Sequence, residues 1–269
     1  MKRVGKSFPA PQTLRDYAQT GHDATWKQMY DDNAQGGYQA VRDCRAQAVR
    51  DQHGLCAYCE QKITMEDPLR CRVEHFHSKS DSAGTHNWGL DWKNMLAVCD
   101  GGSRSSQEAQ KTHPLPANLS CDAHKNHIVQ TGKLPAACEG QLLNPLEMPA
   151  FPNLFTLDKG TGRFRPDKTA CAAVEIPGNA CGTTEALVNS TIAALNLNCA
   201  RLTEKRRLLA ANIEYNKKIL RERGMLPAEM PEKLVRRYFS IQWPEFFTTL
   251  RCCLGPFAED YLQSVQYQG

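Results

Sequence analysis

Two cysteines separated by two residues, Cys56 and Cys59, have the spacing of a metal-binding knuckle. The turn between them directs both thiolates to one point, as tetrahedral zinc requires. Two further ligands must come from downstream, and we favour Cys99 and Cys121, which flank a loop and begin the polar, helix-like stretch CDAHKNH. The competing ligands are Cys71 and Cys138. If no metal binds, these residues are ordinary buried thiols, but the knuckle spacing leads us to predict structural zinc.

The composition favours a reduced, intracellular setting for these cysteines. Cysteine supplies 12 of the 269 residues, a smaller share than disulfide scaffolds contain. The start, MKRVGKSFPAPQT, has no apolar segment behind its basic residues, and no long apolar run follows, so we expect neither a secretory signal nor a membrane span. We predict a cytoplasmic protein, in which clustered thiols indicate metal. The net charge of +4 permits a polyanionic partner without requiring one.

A strand-like segment between Cys59 and Cys99 ends in an acid and a histidine, Glu74 and His75. A carboxylate and an imidazole side by side can supply a metal ligand and a general base for attack by water. Neighbours on a regular strand face opposite sides of the sheet, so we expect the strand to end or bulge at this pair. Asn94 then precedes a second apolar strand that leads directly to Cys99. Each residue alone would be ordinary, and their order carries the signal.

This order of elements resembles the HNH, or ββα-metal, nuclease family. That family combines a Cys-x2-Cys knuckle, an acid–histidine pair closing the first strand, an asparagine before the second strand, and a helix opened by further ligands. The match covers about residues 54 to 128. It implies a small ββα-metal centre that is braced by structural zinc.

The resemblance also implies a role for each matching residue. His75 would be the general base, Glu74 and Asp122 would hold one divalent cation, and Asn94 would orient the histidine. Oxygen ligands suit hard ions, so the expected cation is Mg²⁺ or Mn²⁺. A neutral His75 would take a proton from water, while the cation stabilises the leaving 3′ oxygen of a phosphodiester.

Two features depart from the family pattern. Cys99 and Cys121 are separated by 21 residues, where the family usually has two, so an insertion rich in Ser, Gly and Gln lies within the second half of the knuckle. Asp122 stands where His or Asn is common, which leaves His124 as a rival ligand. We favour Asp122 because aspartate is a good ligand for hard ions.

Several residues could contact phosphate oxygens of a nucleic acid. The candidates near the acid–histidine pair are Lys79, Ser80 and Lys125. A predicted helix from Arg201 to Arg223 has a surplus of basic residues, and we select Arg206 and Arg207 from it. The alternative interpretation is a solvated loop and a solvated helix face.

A narrower resemblance covers about residues 50 to 215. The strings RVEHFHSKSD, WKNMLAVCDGG, CDAHK and NPLE, with a tail containing NLNCARL, look like the PtuB-type HNH nucleases of Septu and retron-associated antiphage systems. His77-Ser78 replaces the Arg-Pro expected after EHF. This resemblance implies a PtuA-type ATPase partner and an effector that is inactive until infection.

The periodicity along the chain predicts an α+β protein that is mostly helical. We divide it into an N-terminal helical segment at 1–53, an HNH nuclease core with the zinc knuckle at 54–140, and a hairpin with helices at 141–269. The glycines at 36 and 37 predict a break in the first segment. Asn196 and Asn198 predict a break in the later helical stripe.

These features favour a metal-dependent endonuclease that cleaves nucleic acid, with DNA as the favoured substrate. One alternative is a nuclease with the same site that acts on RNA such as tRNA, because the residues named above contact phosphate and water and do not distinguish the two polymers. The other alternative is a non-catalytic zinc-ribbon adaptor that binds nucleic acid without cleaving it.

Overall fold

The structure of the protein, a computed structural model, is described here for most of the chain. The described residues are 1–20, 24–34, 36–65, 67, 69–81, 84–135, 137–227, 229–240 and 242–269. Within them helices predominate, and the strands form two separate antiparallel pairs. The α+β class predicted from the sequence is confirmed.

The elements follow one another in this order along the chain. The helices are α1 (Gln12–Ala18), α2 (Trp26–Asp31), α3 (Gly37–Asp51), α4 (Gln107–Thr112), α5 (Cys121–Gln130), α6 (Lys168–Ala172), α7 (Thr184–Ala194), α8 (Ala200–Glu222), α9 (Glu229–Phe239), α10 (Phe247–Leu254) and α11 (Pro256–Ser264). The strands are β1 (Cys71–His75), β2 (Met95–Cys99), β3 (Phe155–Asp158) and β4 (Arg163–Pro166).

The first three helices support the first strand pair. Helices α1 and α2 pack on α3, and α3 packs against both β1 and β2. Gly36 has a left-handed backbone at φ 82° immediately before α3, so the predicted break lies where expected. At Gly37 a Cβ atom would come within 2.5 Å of the Met29 carbonyl oxygen. Glycine at this position therefore allows α2 and α3 to pack closely.

Strands β1 and β2 form an antiparallel ladder whose two ends differ chemically. Cys71 lies opposite Cys99 at one end, which we call the thiol end, and His75 lies opposite Met95 at the other, which we call the histidine end. Every residue of β2 is buried. Strand β1 stops at His75, as the alternation argument required.

Helix α5 begins at the thiol end and packs against β2 and α7. Its first residue, Cys121, has a left-handed backbone and donates its N–H to the Leu195 carbonyl oxygen at 2.8 Å. This bond ties the start of α5 to the segment between α7 and α8. Asn196, in that segment, also has a positive φ, which agrees with the predicted helix break.

The C-terminal half begins with the predicted hairpin, β3 and β4, and continues in helices. Gly162 in its turn lies against α8, where a Cβ atom would meet the Thr203 carbonyl oxygen at 2.0 Å. Helix α8 contacts α9 and α10, and α10 packs on α11. In the part of the chain that is described, no helix has both the length and the apolar character that crossing a membrane requires.

Candidate functional site

Four buried thiols converge at the thiol end of the ladder. Ligand atoms of Cys56, Cys59, Cys99 and Cys121 all lie within 4.8 Å of one another. The Sγ–Sγ distances are 3.6 Å from Cys59 to Cys99, 3.7 Å from Cys99 to Cys121 and 3.9 Å from Cys56 to Cys121. These separations suit four ligands around one tetrahedral ion.

The electrostatics of this cluster also fit a cation. Burial opposes the ionisation of Cys56, but hydrogen bonds from neighbouring thiols, Cys121 foremost, bring its pKa well below the usual value. Burial and the bonds to the other thiols raise the pKa of Cys121 well above that value. One thiolate is thus stabilised at the expense of its neighbours. Four thiolates could lie this close together only around a cation, so the cluster could bind a metal such as zinc.

The two competing cysteines lie outside this cluster. Cys71 begins β1 but is absent from the group of converging thiols. The Cys138 thiol donates instead to the Phe76 carbonyl oxygen at 3.1 Å. Burial raises the pKa of both cysteines to about 11, so each is a neutral thiol near pH 7.

A second polar centre lies at the histidine end, in an open cavity of about 170 Å³. Its lining includes Glu74, His75 and Asp122, with Lys79 and Ser80 as exposed lining residues. Glu74 and Asp122 are both buried, and both line this cavity. Burial, then the neighbouring charge of Asp122, raises the pKa of Glu74 well above its usual value. Two neighbouring carboxylates would be stabilised by a bound cation.

Lys125 balances part of this negative charge. Its Nζ lies 2.6 Å from Glu74 Oε1 and 2.7 Å from the Phe76 carbonyl oxygen, with the His75 carbonyl oxygen at 3.3 Å. Its three N–H donors therefore all face protein acceptors. Lys125 also lines the cavity, but its ammonium group is buried in an ion pair with Glu74, so the predicted contact with phosphate stays a prediction.

His75 is buried and held by the loop before β2. Its Nε2 lies 3.1 Å from the Gly89 carbonyl oxygen, and its ring meets Trp26 edge-on at 4.7 Å. A carbonyl oxygen only accepts, so Nε2 carries the proton and Nδ1 is the basic nitrogen. Burial lowers the pKa of His75 to about 3. The imidazole is therefore neutral near pH 7 and able to accept a proton.

Asn94 does not orient this ring directly, which corrects the role predicted for it. Its Oδ1 accepts the N–H of His77 at 2.7 Å, and its Nδ2 donates to the carbonyl oxygens of His77 at 3.0 Å and Trp88 at 2.9 Å. Asn94 thus fixes the two flanks of the loop. The carbonyl group of Gly89, one residue after Trp88, then holds His75.

The two rival cation ligands on α5 point to different places. Asp122 lines the cavity beside Glu74. His124 directs Nδ1 to the Ala194 carbonyl oxygen at 2.8 Å, at the end of α7, and is absent from the cavity lining. The structure therefore brings Asp122, and not His124, to Glu74.

The two selected arginines of α8 also differ. Arg207 is exposed, whereas Arg206 is fully buried. The Arg206 guanidinium donates to the Gly162 carbonyl oxygen at 2.8 Å and lies over the ring of Phe164 at 4.2 Å. The prediction that Arg206 binds nucleic acid is wrong, because its charge is committed to packing α8 against the hairpin.

Sequence reasoning missed the role of His77. Its ring lies between Glu139 Oε1 at 2.6 Å and Asp81 Oδ2 at 2.7 Å, and it stacks on Trp88 at 4.0 Å. This contact joins the segment after β1 to the segment after α5. The sequence did offer one signal for this role, because His77-Ser78 replaces the Arg-Pro that the family resemblance led us to expect.

Comparison with known proteins gives one informative result. No protein-family model matches the chain. The chain is 35% identical over 257 residues to a protein of Escherichia coli that is assigned as an HNH endonuclease of retron Ec83, and the alignment covers 93% of this chain and 92% of that protein.

Proposed function

Because this chain belongs to the HNH endonucleases, which hydrolyse phosphodiester bonds, we propose that it is a metal-dependent enzyme that cleaves DNA in the cavity at the histidine end. The observation that carries the proposal is the pairing of two carboxyl groups, Glu74 and Asp122, in an open cavity that a neutral His75 also lines.

We further propose that β1, β2 and α5 are the ββα-metal unit of this family, within a nuclease core at residues 54–140. The ladder supplies Glu74 and His75, and α5 supplies Asp122. The four thiols would hold structural zinc between the knuckle, β2 and the start of α5. In that position zinc would stabilise the elements that carry the reactive side chains.

In the proposed reaction Glu74 and Asp122 would hold one Mg²⁺ or Mn²⁺ ion, which would supply positive charge opposite the negative charge that develops on oxygen. His75 Nδ1 takes a proton from a water molecule, and the water oxygen forms a bond to phosphorus as the bond to the 3′ oxygen breaks. The 3′ oxygen leaves and gains a proton from solvent. The products are a 5′-phosphate and a 3′-hydroxyl.

Lys79, Ser80 and Arg207 are proposed contacts to the phosphate backbone. The first two are exposed lining residues of the cavity, and Arg207 is exposed on α8. Such contacts position the polymer without reading its sequence.

A cleavage assay tests the chemistry. The unmodified chain and His75→Ala are incubated with plasmid DNA and, separately, with total tRNA. We expect plasmid cleavage that chelation stops and Mg²⁺ or Mn²⁺ restores, and a rate loss on the order of 100-fold to 10,000-fold in His75→Ala. His127→Ala, a histidine of α5 outside the cavity lining, is the matched control and should cleave normally.

The ends of the products separate the alternatives. Ends with 2′,3′-cyclic phosphate on RNA would mean that a 2′-hydroxyl was the nucleophile, which contradicts the water mechanism. Binding without turnover by the unmodified chain would support the adaptor. Cleavage of tRNA but not plasmid would assign RNA as the substrate.

The retron assignment of the relative supports a second proposal, that this nuclease is the effector of an antiphage defence system. From the resemblance to PtuB-type nucleases, we also propose a PtuA-type ATPase partner. Co-expression followed by size-exclusion chromatography should give one shared peak. Separate elution of the two proteins would remove the complex and leave the nuclease assignment in place.

A further inference from the structure

A basic cleft lies beside the four thiols, at the opposite end of the ladder from the proposed active site. It has a volume of about 310 Å³ and includes Cys99 in its lining. Among the described residues that line it, the cationic side chains are Lys62, Arg70, Arg104, Arg201 and Lys205, and the acidic side chain is Asp100. The side chains of the cleft therefore carry an excess of positive charge, although four thiolates around one Zn²⁺ would place two negative charges beside it.

The acids around this cleft leave most of that charge available. Asp100 Oδ1 accepts the N–H of Gly102 at 3.0 Å and so stabilises a turn. Glu108 pairs with Lys111 at 2.7 Å, and Glu204 Oε2 lies 3.1 Å from the ring of His113. Arg70 pairs with Asp67 at 3.2 Å on the exposed surface. Among the described residues no ion pair is found for the other exposed cations, which are Lys62, Arg104 and Lys205.

Arg201 is held in place before any ligand arrives. Its two terminal nitrogens donate to Gln61 Oε1 at 2.8 Å and to Ser120 Oγ at 2.7 Å. Its Nε is buried and finds no hydrogen-bond partner in the part of the chain that is described. The guanidinium lies against Gly102, where a Cβ atom would come within 3.1 Å of Nε. A fixed cation loses little entropy on binding an anion.

The lining indicates which anion fits. A free nucleotide is normally held partly by stacking of its base on an aromatic ring, and the described residues that line the cleft include no aromatic side chain. Spread cations with the hydroxyl of Ser106, which accepts the Ala109 N–H and keeps its own proton to donate, instead suit the phosphates of a polymer backbone. We propose that this cleft is a second nucleic-acid site, which binds backbone phosphate of the DNA that is cleaved at the histidine end.

This inference rests on the proposed function for the identity of the polymer. The cleft adjoins Cys99 at one end of the ladder, and His75 lies four residues along β1 from the thiol end. At about 3.3 Å per residue, the two sites are on the order of 13 Å apart along the strand direction. DNA bound at both sites would be fixed in register relative to His75.

Binding by the full chain tests the inference. Arg104→Glu/Lys205→Glu reverses two charges of the cleft, and Lys168→Glu/Lys233→Glu reverses two exposed charges elsewhere as a matched control. A labelled DNA duplex is titrated by fluorescence anisotropy at several salt concentrations, without added divalent cation. The cleft variant should weaken binding by roughly tenfold or more and lower the salt slope by about 2, since each lost phosphate contact removes about 0.9. Melting curves and zinc content should match those of the unmodified chain.

The control variant should bind almost as the unmodified chain does. Equal affinity of the cleft variant and the unmodified chain, or equal weakening in both double variants, would overturn the proposal. Calorimetry with pyrophosphate forms a second arm, because binding of pyrophosphate that the cleft variant abolishes, with duplex binding unchanged, would assign the cleft to a small phosphate and reject the polymer. Since none of these measurements requires turnover, failure of the proposed nuclease function would appear separately, as DNA binding without cleavage.

Discussion

The two ends of the β1–β2 ladder bury polar groups in different ways. At the thiol end four buried Sγ atoms lie within 4.8 Å of one another, and Cys99 Sγ also accepts the N–H of Gly101 at 3.4 Å. At the histidine end Glu74 is balanced by Lys125 and faces Asp122 across an open cavity. Four protein ligands fill a tetrahedral site and leave no position for a substrate, whereas a pair of carboxylates in an open cavity leaves positions free.

This contrast separates stability from chemistry within one short ladder. The thiol end joins the knuckle, β2 and α5, so damage there should unfold the core. The histidine end has charges that are only partly compensated, which costs stability and leaves groups able to react. The effects of substitutions should therefore differ between the two ends, both in size and in whether stability or reactivity is lost.

The largest expected effect is at the thiol end. Cys59→Ser removes one of four ligands, and structural zinc contributes on the order of 10 kcal/mol to folding in small metal domains. We expect soluble yield and zinc content to fall together, as measured by elemental analysis of purified protein. Cys71→Ser and Cys138→Ser are the matched controls and should keep about one equivalent of zinc. Well-folded unmodified protein without zinc would contradict the assignment.

The next largest effect concerns the ion pair of Lys125. Lys125→Met leaves the Glu74 carboxyl group buried without its cation, and breaking a buried pair in this way costs about 3 to 5 kcal/mol. The free energy of unfolding in urea measures the loss. The double variant Glu74→Gln/Lys125→Met removes both charges and should recover part of the stability. No recovery would mean that the two side chains stabilise the fold independently.

A smaller effect, on activity alone, should separate the rival ligands of α5. Asp122→Ala should slow plasmid cleavage by about 100-fold or more, because the cation would lose one of its two protein ligands. His124→Ala should cleave within a few-fold of the unmodified chain, since that ring contacts the Ala194 carbonyl oxygen outside the cavity. The reverse pattern would assign the cation to His124.

At both ends of the ladder, the elements that carry the polar side chains could be predicted from the sequence, because spacing along the chain identifies them. The Cys-x2-Cys turn and two apolar strands bring the ligands together with few alternatives. The burial of Arg206 was also readable, because Leu202, Arg206, Ala210 and Ile213 form the buried stripe of α8 at helical spacing. The surplus of basic residues on α8, taken without that periodicity, suggested a role in binding nucleic acid that the buried position of Arg206 does not fit.

Other contacts leave no signal in the sequence. His75 is held by the backbone carbonyl group of Gly89. Every residue has such a group, so the residue type at position 89 does not reveal the contact. The position of Asn94 predicted its importance, but its bonds to His77 and Trp88 depend on how the loop folds. Lys125 had a readable signal, because it follows Asp122 by three residues and therefore shares its helix face.

The smallest expected effect is a pH dependence at the histidine end, where Lys6 adds a further cation. Its Nζ lies 3.7 Å from the centre of the Trp92 ring and donates to the Met95 carbonyl oxygen. Burial lowers the pKa of Lys6 to about 7, against the opposing charge of Asp51. Between this value and the ordinary lysine pKa of about 10.4, the unfolded chain binds more protons than the folded chain.

The stability contribution of Lys6 should therefore rise as pH rises from 7 towards 10, by at most about 1.4 kcal/mol per pH unit. Lys6→Met has no charge to bury, so its free energy of unfolding should lack this rise. Urea unfolding of both proteins at pH 7 and pH 9 isolates the effect, because all other titrating groups are common to the two. From pH 7 to pH 9, the free energy of unfolding of the unmodified chain should therefore increase relative to that of Lys6→Met. A stability difference that is independent of pH would mean that the Lys6 ammonium keeps its ordinary pKa over Trp92. Burial of Lys6 would then add no uncompensated charge to the histidine end.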